Sequence, residues 1–311
     1  MNSGASDQFS RDSRINSEAA GALSPLASLK RAGRWLNEFA RNVHSQTGED
    51  GVIAKALEML PDRNQWCVEF GAWDGKHLSN TFNLVENAGY RVVLIEGDED
   101  KYQILRKEYP YRERAVFIGR FVAWDEDDNL DTLLKETPAP LNFDILSIDV
   151  DGNDYHIWRA VTKYRPKLVL IEFNPTSSNR FIHVQPPDSN CNQSTSPAAL
   201  VSLARSKRYE LICVVGANLL FVDSQYYDAF HIPDNSLEIM RDEDEVTHLF
   251  LGFDGSLVVD GPSQLRWHNL RLRIGQPLPG ILRAYPPNYS GWQRLLFRIW
   301  KKLHDLFSKS R

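Results

Sequence analysis

Trp66-Cys67-Val68-Glu69-Phe70-Gly71-Ala72-Trp73-Asp74-Gly75 is an apolar run that breaks at Gly71 and reaches a second glycine at Gly75, and the next apolar run, Val92-Val93-Leu94-Ile95, closes on Glu96. A strand ending in glycine, a helical segment with Leu78, Phe82, Leu84 and Val85, and a returning strand ending in an acid open an α/β sheet with a ligand at its strand ends. Asn87 and Gly89 stop that helix. Gly71 lets the chain leave the strand tightly, and Gly75 lets backbone approach a ligand with no Cβ in the way. Glu69 is placed either to hold an ammonium group or to fix the loop. Glu96 suits the two hydroxyls of a ribose, and Asp98 follows in the same loop. The Gly71 to Glu96 spacing agrees with the roughly 20 to 25 residues between a nucleotide loop and its ribose acid.

Gly-Ala-Trp-Asp-Gly lacks the three-glycine pyrophosphate fingerprint, so a mononucleoside such as S-adenosylmethionine fits better than a dinucleotide. A second block carries the chemistry. Phe143-Asp144-Ile145-Leu146-Ser147-Ile148-Asp149-Val150-Asp151-Gly152-Asn153-Asp154 runs from a strand into an acid-rich turn, a helix follows from Tyr155 to Val161, and Lys167-Leu168-Val169-Leu170-Ile171-Glu172-Phe173-Asn174-Pro175 is a further strand. Parallel neighbours bring their carboxyl ends together, so Asp149, Asp151, Glu172 and Asn174 converge on the side of Gly71. Grouped acids are costly unless a cation or a proton sits between them. Oxygen-only ligands suit Mg²⁺, Mn²⁺ or Ca²⁺ rather than zinc. The bland alternative is that these carboxylates bind substrate or cap the next helix.

The remaining chain reads around these blocks. Residues 1–30 form a flexible leader by composition. Trp35, Leu36, Phe39, Ala40 and Val43 predict a helix over Arg34 to Val43. Ser45-Gln46-Thr47-Gly48-Glu49-Asp50-Gly51 is a polar loop in which Thr47 with Asp50 caps the next helix, or which closes over a cofactor. Arg114 to Ile118 is a third strand, and Trp124 could stack on adenine or pack at the edge. The turn-rich stretch beyond Pro175 carries His183. A helix from Pro197 to Lys207 precedes Leu211 to Gly216 and Leu219 to Val222, an antiparallel hairpin turning at Ala217-Asn218. The expectation is a core over residues 31–223, with 224–311 an appendage. Its terminal stretch places Trp292, Leu295, Leu296, Ile299, Trp300, Leu303, Leu306 and Phe307 on one helical face. That face packs on the body or on a second copy, or meets an anionic membrane or a lipid-linked substrate.

The chain has 311 residues and a formal charge of -5, which gives no general attraction to nucleic acid. Cys67, Cys191 and Cys213 make no CxxC pair, and Cys67 and Cys213 sit in apolar runs as buried structural thiols. No signal sequence and no membrane-spanning run is recognisable, so the expected compartment is the cytoplasm.

Taken together, Glu69 with Gly71-Ala72-Trp73-Asp74-Gly75, Glu96, Ser147-Ile148-Asp149-Val150-Asp151-Gly152, Tyr209-Glu210-Leu211 and Leu220-Phe221-Val222 resemble the FkbM-type methyltransferases of the class I S-adenosylmethionine-dependent superfamily, over roughly Ser45 to Asp223. The resemblance implies a Rossmann-like α/β fold: a seven-stranded mostly parallel sheet with an antiparallel closing hairpin. It implies S-adenosylmethionine at Glu69, Gly71, Ala72, Asp74, Gly75 and Glu96, with Gln46 and Glu49 near the cofactor's amino-acid end; Asp98 and Trp124 join the expected cofactor-binding set from their own stretches. Similar sugar O-methyltransferases hold magnesium at acids that correspond to Asp149 and Glu172; the further expectation for this chain is that Asp151 or Asn174 completes or supports the shell. The expected reaction is O-methylation of a small natural product or glycosyl unit, with Asp149 or Asp151 as base and His183 or His156 as alternatives. A dinucleotide-dependent oxidoreductase and a non-catalytic α/β interaction module are the competing readings.

Overall fold

The computed structural model describes residues 24–308. The expected leader lies outside the described residues up to position 23, and so does Lys309. The described chain forms two compact units, one of residues up to Asn174 together with Asn179–Asp242, the other of Pro175–Ser178 and the residues from Glu243 onward.

The first unit is a Rossmann-like α/β sheet. Its elements are α1 (Pro25–Gly33), α2 (Glu49–Met59), β1 (Trp66–Phe70), α3 (Phe82–Ala88), β2 (Arg91–Ile95), α4 (Glu99–Glu108), β3 (Ala115–Ile118), α5 (Leu130–Leu134), β4 (Ile145–Ile148), α6 (Asp154–Ala160), β5 (Leu168–Glu172), α7 (Pro197–Ser206), β6 (Tyr209–Val215), β7 (Asn218–Asp223) and α8 (Leu237–Met240). The seven strands lie in the order β3-β2-β1-β4-β5-β7-β6. All pairs from β3 to β5 are parallel, and β7 runs antiparallel to both β5 and β6. β1, β4 and most of β5 are buried, as expected of mostly apolar parallel strands with helices on both faces, whereas the edge strand β3 is half-buried. Cys67 and Cys213 are buried free thiols as expected, and burial pushes the Cys213 thiol up to about 12.

Four local expectations are corrected. The helix expected over Arg34 to Val43 is only a short 3₁₀ turn, Trp35–Phe39. Beyond it the backbone N–H groups of Val43, His44 and Ser45 donate to the Asp50 carboxylate at 2.7 to 2.8 Å, so they do not build a helical ladder. With Asp50 so used, α2 starts at Glu49 behind Gly48, which is in the left-handed region and has no side chain to cap with, and the Asp50 N–H donates to Ser45 Oγ at 3.1 Å. Residues 25–30 of the expected leader are helical: Ser24 caps α1, Pro25 opens it, and Lys30 and Arg34 pair with Asp242 just past α8. The hairpin turns at Gly216 and Ala217, one residue earlier than expected, and a Cβ on Gly216 would overlap the Thr47 side chain.

The second unit carries β8 (His248–Leu251) paired antiparallel with β9 (Leu257–Asp260), β10 (Gln264–Leu265) with β11 (Leu270–Arg271), and α9 (Gly291–Ser308).

At the amino-terminal end of the sheet, the fully buried Asp144 accepts from the Asn64 and Gln65 N–H groups at 3.0 and 2.8 Å and from Lys167 Nζ at 3.0 Å. Lys167 also meets Asp62 at 2.8 Å. Removing one member of such a pair leaves an uncompensated buried charge. Lys167→Met should therefore lower the unfolding free energy in urea by about 3–5 kcal/mol. Loss of less than about 1 kcal/mol would mean that the pair is dispensable.

Candidate active site

β1 and β4 are adjacent where the strand order reverses, and the crevice beyond the carboxyl ends of such a pair is where open α/β sheets hold ligands. Phe70 and Ile148 are in register, so Gly71 and Asp149 follow side by side. Gly71 has φ +70°, and a Cβ there would overlap the Asp149 carbonyl oxygen. Glycine is thus required by backbone crossing backbone. Gly75 differs from its expected reason. Its Cβ direction is filled by Leu105 Cδ1 at 2.7 Å and the Tyr109 ring at 2.8 Å, so it makes room for the helix α4 rather than for a ligand.

The glycine loop is tied down by two buried acids. Glu69 accepts from Ser79 Oγ at 2.6 Å, Thr81 Oγ1 at 2.7 Å and the Asn80 N–H at 2.8 Å, which makes it the fixer of the loop. Burial pushes its carboxyl up, and these donors pull against that shift. The same three residues, diverted to Glu69, delay α3 until Phe82. Glu96 accepts from the Trp73 N–H at 2.8 Å through one oxygen and the Asp98 N–H at 2.9 Å through the other. Ala72 is buried, and its N–H reaches the Ile95 carbonyl. Trp73 and Leu78 sit at φ +46° and +59°, left-handed conformations that non-glycine residues adopt at a cost. Asp74 closes an exposed turn by accepting from the Lys76 and His77 N–H groups, and Asp98 caps α4.

Sequence reasoning placed an aromatic beside the cofactor at Trp124, whose half-buried ring lies 5.8 Å from His156. It missed Phe121. That ring is 71 % exposed and lies over Gly97, where a Cβ would overlap it, one residue from Glu96. The Gly97 that permits this contact was the available signal.

Around β5 the polar loop before α2 closes in. Glu49 is buried and accepts from the Thr47 N–H at 2.7 Å, the Thr47 hydroxyl and the Asn218 amide at 3.1 Å. Asn218 is the register partner of Glu172, so Glu49 stands beside the end of β5. Gln46 is exposed, and its carbonyl accepts from the Asn42 amide.

The acids after β4 and at the end of β5 do meet. Asp149, Asp151 and Glu172 each offer a carboxylate oxygen, and these lie within 4.8 Å of one another. Asp151 is at φ +56°. The turn is shaped by Asp154, which is buried and accepts from the Val150 and Gly152 N–H groups at 3.0 and 2.9 Å. Desolvation first, and then the charges of Asp154, Asp151, Glu69 and Glu49, push Asp149 up to about 7. Burial likewise pushes Asp154 up to about 6. Asn174 donates its amide to the Gln193 carbonyl at 3.0 Å. His183 is outside the acid cluster, with its ring stacked on Phe181. His156 is buried and joined to the Gln185 carbonyl at 2.8 Å, a clamp on the loop that covers α6.

Solved structures similar in fold include the N-terminal domain of EvdMO1 with SAH bound, at 11% identity over 63% of this chain and 93% of that one, TM-score 0.38. Another is the precorrin-6y C5,15-methyltransferase of Geobacter metallireducens, at 11% identity over 59% of this chain and 90% of that one, TM-score 0.35. A third is the CurJ carbon methyltransferase, at 10% identity over 64% of this chain and 60% of that one, TM-score 0.39. No protein-family model and no curated protein matches the sequence.

The raised carboxyls set a pH dependence. The folded state holds protons on Asp149 and Asp154 that the unfolded chain releases from about 3.8 upward. Metal-free stability should therefore fall as pH rises from 3.8 through about 7. Asp149→Asn should flatten that slope and melt a few degrees above the parent at pH 8. A melting profile in which the variant is no more stable than the parent above pH 7 contradicts this reading.

Proposed function

We propose that this protein is an S-adenosylmethionine-dependent O-methyltransferase that acts on a hydroxyl of a small natural product or glycosyl unit and uses a divalent cation. The observation that carries the reading is the meeting of Asp149, Asp151 and Glu172 within 4.8 Å beside the β1/β4 crevice. Three hard oxygen donors are a fitting set for Mg²⁺ or Mn²⁺, and Asn174 follows on the same strand end.

The residues around the crevice also suit the nucleoside. Each oxygen of Glu96 takes one backbone N–H and keeps acceptor capacity for a ribose hydroxyl. Phe121, over Gly97, offers an exposed aromatic surface to a base. The acids of the floor favour a cationic ligand, and Gln46 and Glu49 belong to the loop that the family resemblance assigns to the amino-acid end. S-adenosylmethionine supplies a methyl group already activated on a sulfonium. The protein's own task is then to hold the acceptor hydroxyl in line and to remove its proton. A bound cation would lower the pKa of that hydroxyl. Asp149 and Asp151 orient the hydroxyl in this reading, and Glu172 closes the shell.

One observation favours a metal-free variant of the mechanism. A carboxyl pushed up to about 7 is itself suited to take a proton near neutrality, so Asp149 would act directly as base and Glu172 would hold a second substrate hydroxyl.

Protein stripped with chelator and given methyl-labelled S-adenosylmethionine with hydroxylated and aminated acceptors tests both. The metal-assisted reading expects label on oxygen, turnover restored by Mg²⁺ or Mn²⁺, and losses of about 100-fold or more in Asp149→Asn and Glu172→Gln with cofactor binding kept. Full turnover in metal-free protein selects the direct-base variant. Label found only on nitrogen overturns O-transfer.

A further inference from the structure

The 18-residue α9 touches its own unit along one face, and a second stripe of its described apolar side chains is exposed. Gln293 donates to the Ile281 carbonyl at 3.1 Å, Phe297 packs 5.9 Å from the Tyr289 ring, and these two with Trp300 are half-buried. Positions 293, 297 and 300 share one helical face. The neighbouring stripe is exposed: Trp292 52%, Leu295 58%, Ile299 49%, Leu303 51% and Leu306 69%. At 3.6 residues per turn these fall on one side, with Arg294, Arg298, Lys301 and Lys302 on the remainder. The charge is segregated as well. From Gly261 to Arg311 the sequence holds ten Lys and Arg side chains against one acid, Asp305, although the whole chain has 36 bases and 41 acids.

We propose that α9 lies flat in the surface of an anionic lipid bilayer and anchors the protein there. An apolar stripe bordered by cations matches the two layers of such a surface, with the leucines entering the acyl boundary and the long basic side chains reaching back to the headgroups. Trp292 is of the type that favours this interface. The helix lies on the membrane and does not cross it, since none among the described residues is long and apolar enough to span. A second copy of the chain would bring one basic segment against another. A nucleic acid would neutralise the cations and leave the leucine stripe in water. Of these three, the anionic lipid surface satisfies both halves of the helix.

The test is flotation of the full chain with phosphatidylcholine vesicles with and without phosphatidylserine. Binding should require phosphatidylserine and weaken with salt. It should fall at least about ten-fold both in a Leu295→Glu, Ile299→Glu double variant and in an Arg298→Glu, Lys302→Glu double variant, with circular dichroism of both like the parent. Failure of the parent to float at low salt overturns the proposal. So does flotation that survives both double variants, a parent dimer that Ile299→Glu makes monomeric without any lipid binding, or binding of an RNA oligonucleotide that only the basic variant loses.

Discussion

No side chain fits at position 71. The backbone there crosses directly over the Asp149 carbonyl, in a left-handed conformation. That contact closes β1 onto β4 at the one place where the strand order reverses, and it brings the glycine loop and the acid turn, 78 positions apart by their numbers, to one crevice. Everything else in the site depends on it. Glu69 and Glu96 hold the glycine loop from one side, and Asp154 holds the acid turn from the other. Asp149 and Asp151 stand in that acid turn, and Glu172 reaches them from the end of β5.

The acids of this region divide by what they hold. Glu69, Glu49 and Asp154 are surrounded by hydroxyl, amide and backbone donors, which is how a buried carboxylate is made tolerable. Asp149, Asp151 and Glu172 bring carboxylate oxygens within 4.8 Å of one another. Desolvation first, and then the charges of Asp154, Asp151, Glu69 and Glu49, push the Asp149 carboxyl up. A fold that spends stability in this way at a strand-end crevice has the character of a functional site.

The sheet was legible because its strands are mostly apolar runs and its two site blocks fall at strand ends, features that are local in sequence. The convergence of Asp149 with Glu172 was legible for the same reason, since parallel neighbours must align their carboxyl ends. What escaped was non-local. Residues 34–43 have helical spacing, yet the next donors along are captured by Asp50, and no periodicity reveals that. Gly75 has the pattern of a ligand-facing glycine, but its neighbour is Tyr109, 34 positions later by number. Phe121 over Gly97 depends on where the chain goes after β3, which the run of residues there does not specify.

The central claim is that the β1/β4 crevice is built for the adenosyl ligand of a methyl transfer. Calorimetric titration of the protein with S-adenosylmethionine, its demethylated product and NAD(H), with Gly71→Arg as the control, tests it most directly. The account predicts saturable binding of both adenosyl ligands, none of NAD(H), and loss of binding in the control. Binding of NAD(H) alone would contradict it and make the crevice a dinucleotide site, and binding of no nucleotide would leave the sheet an interaction module.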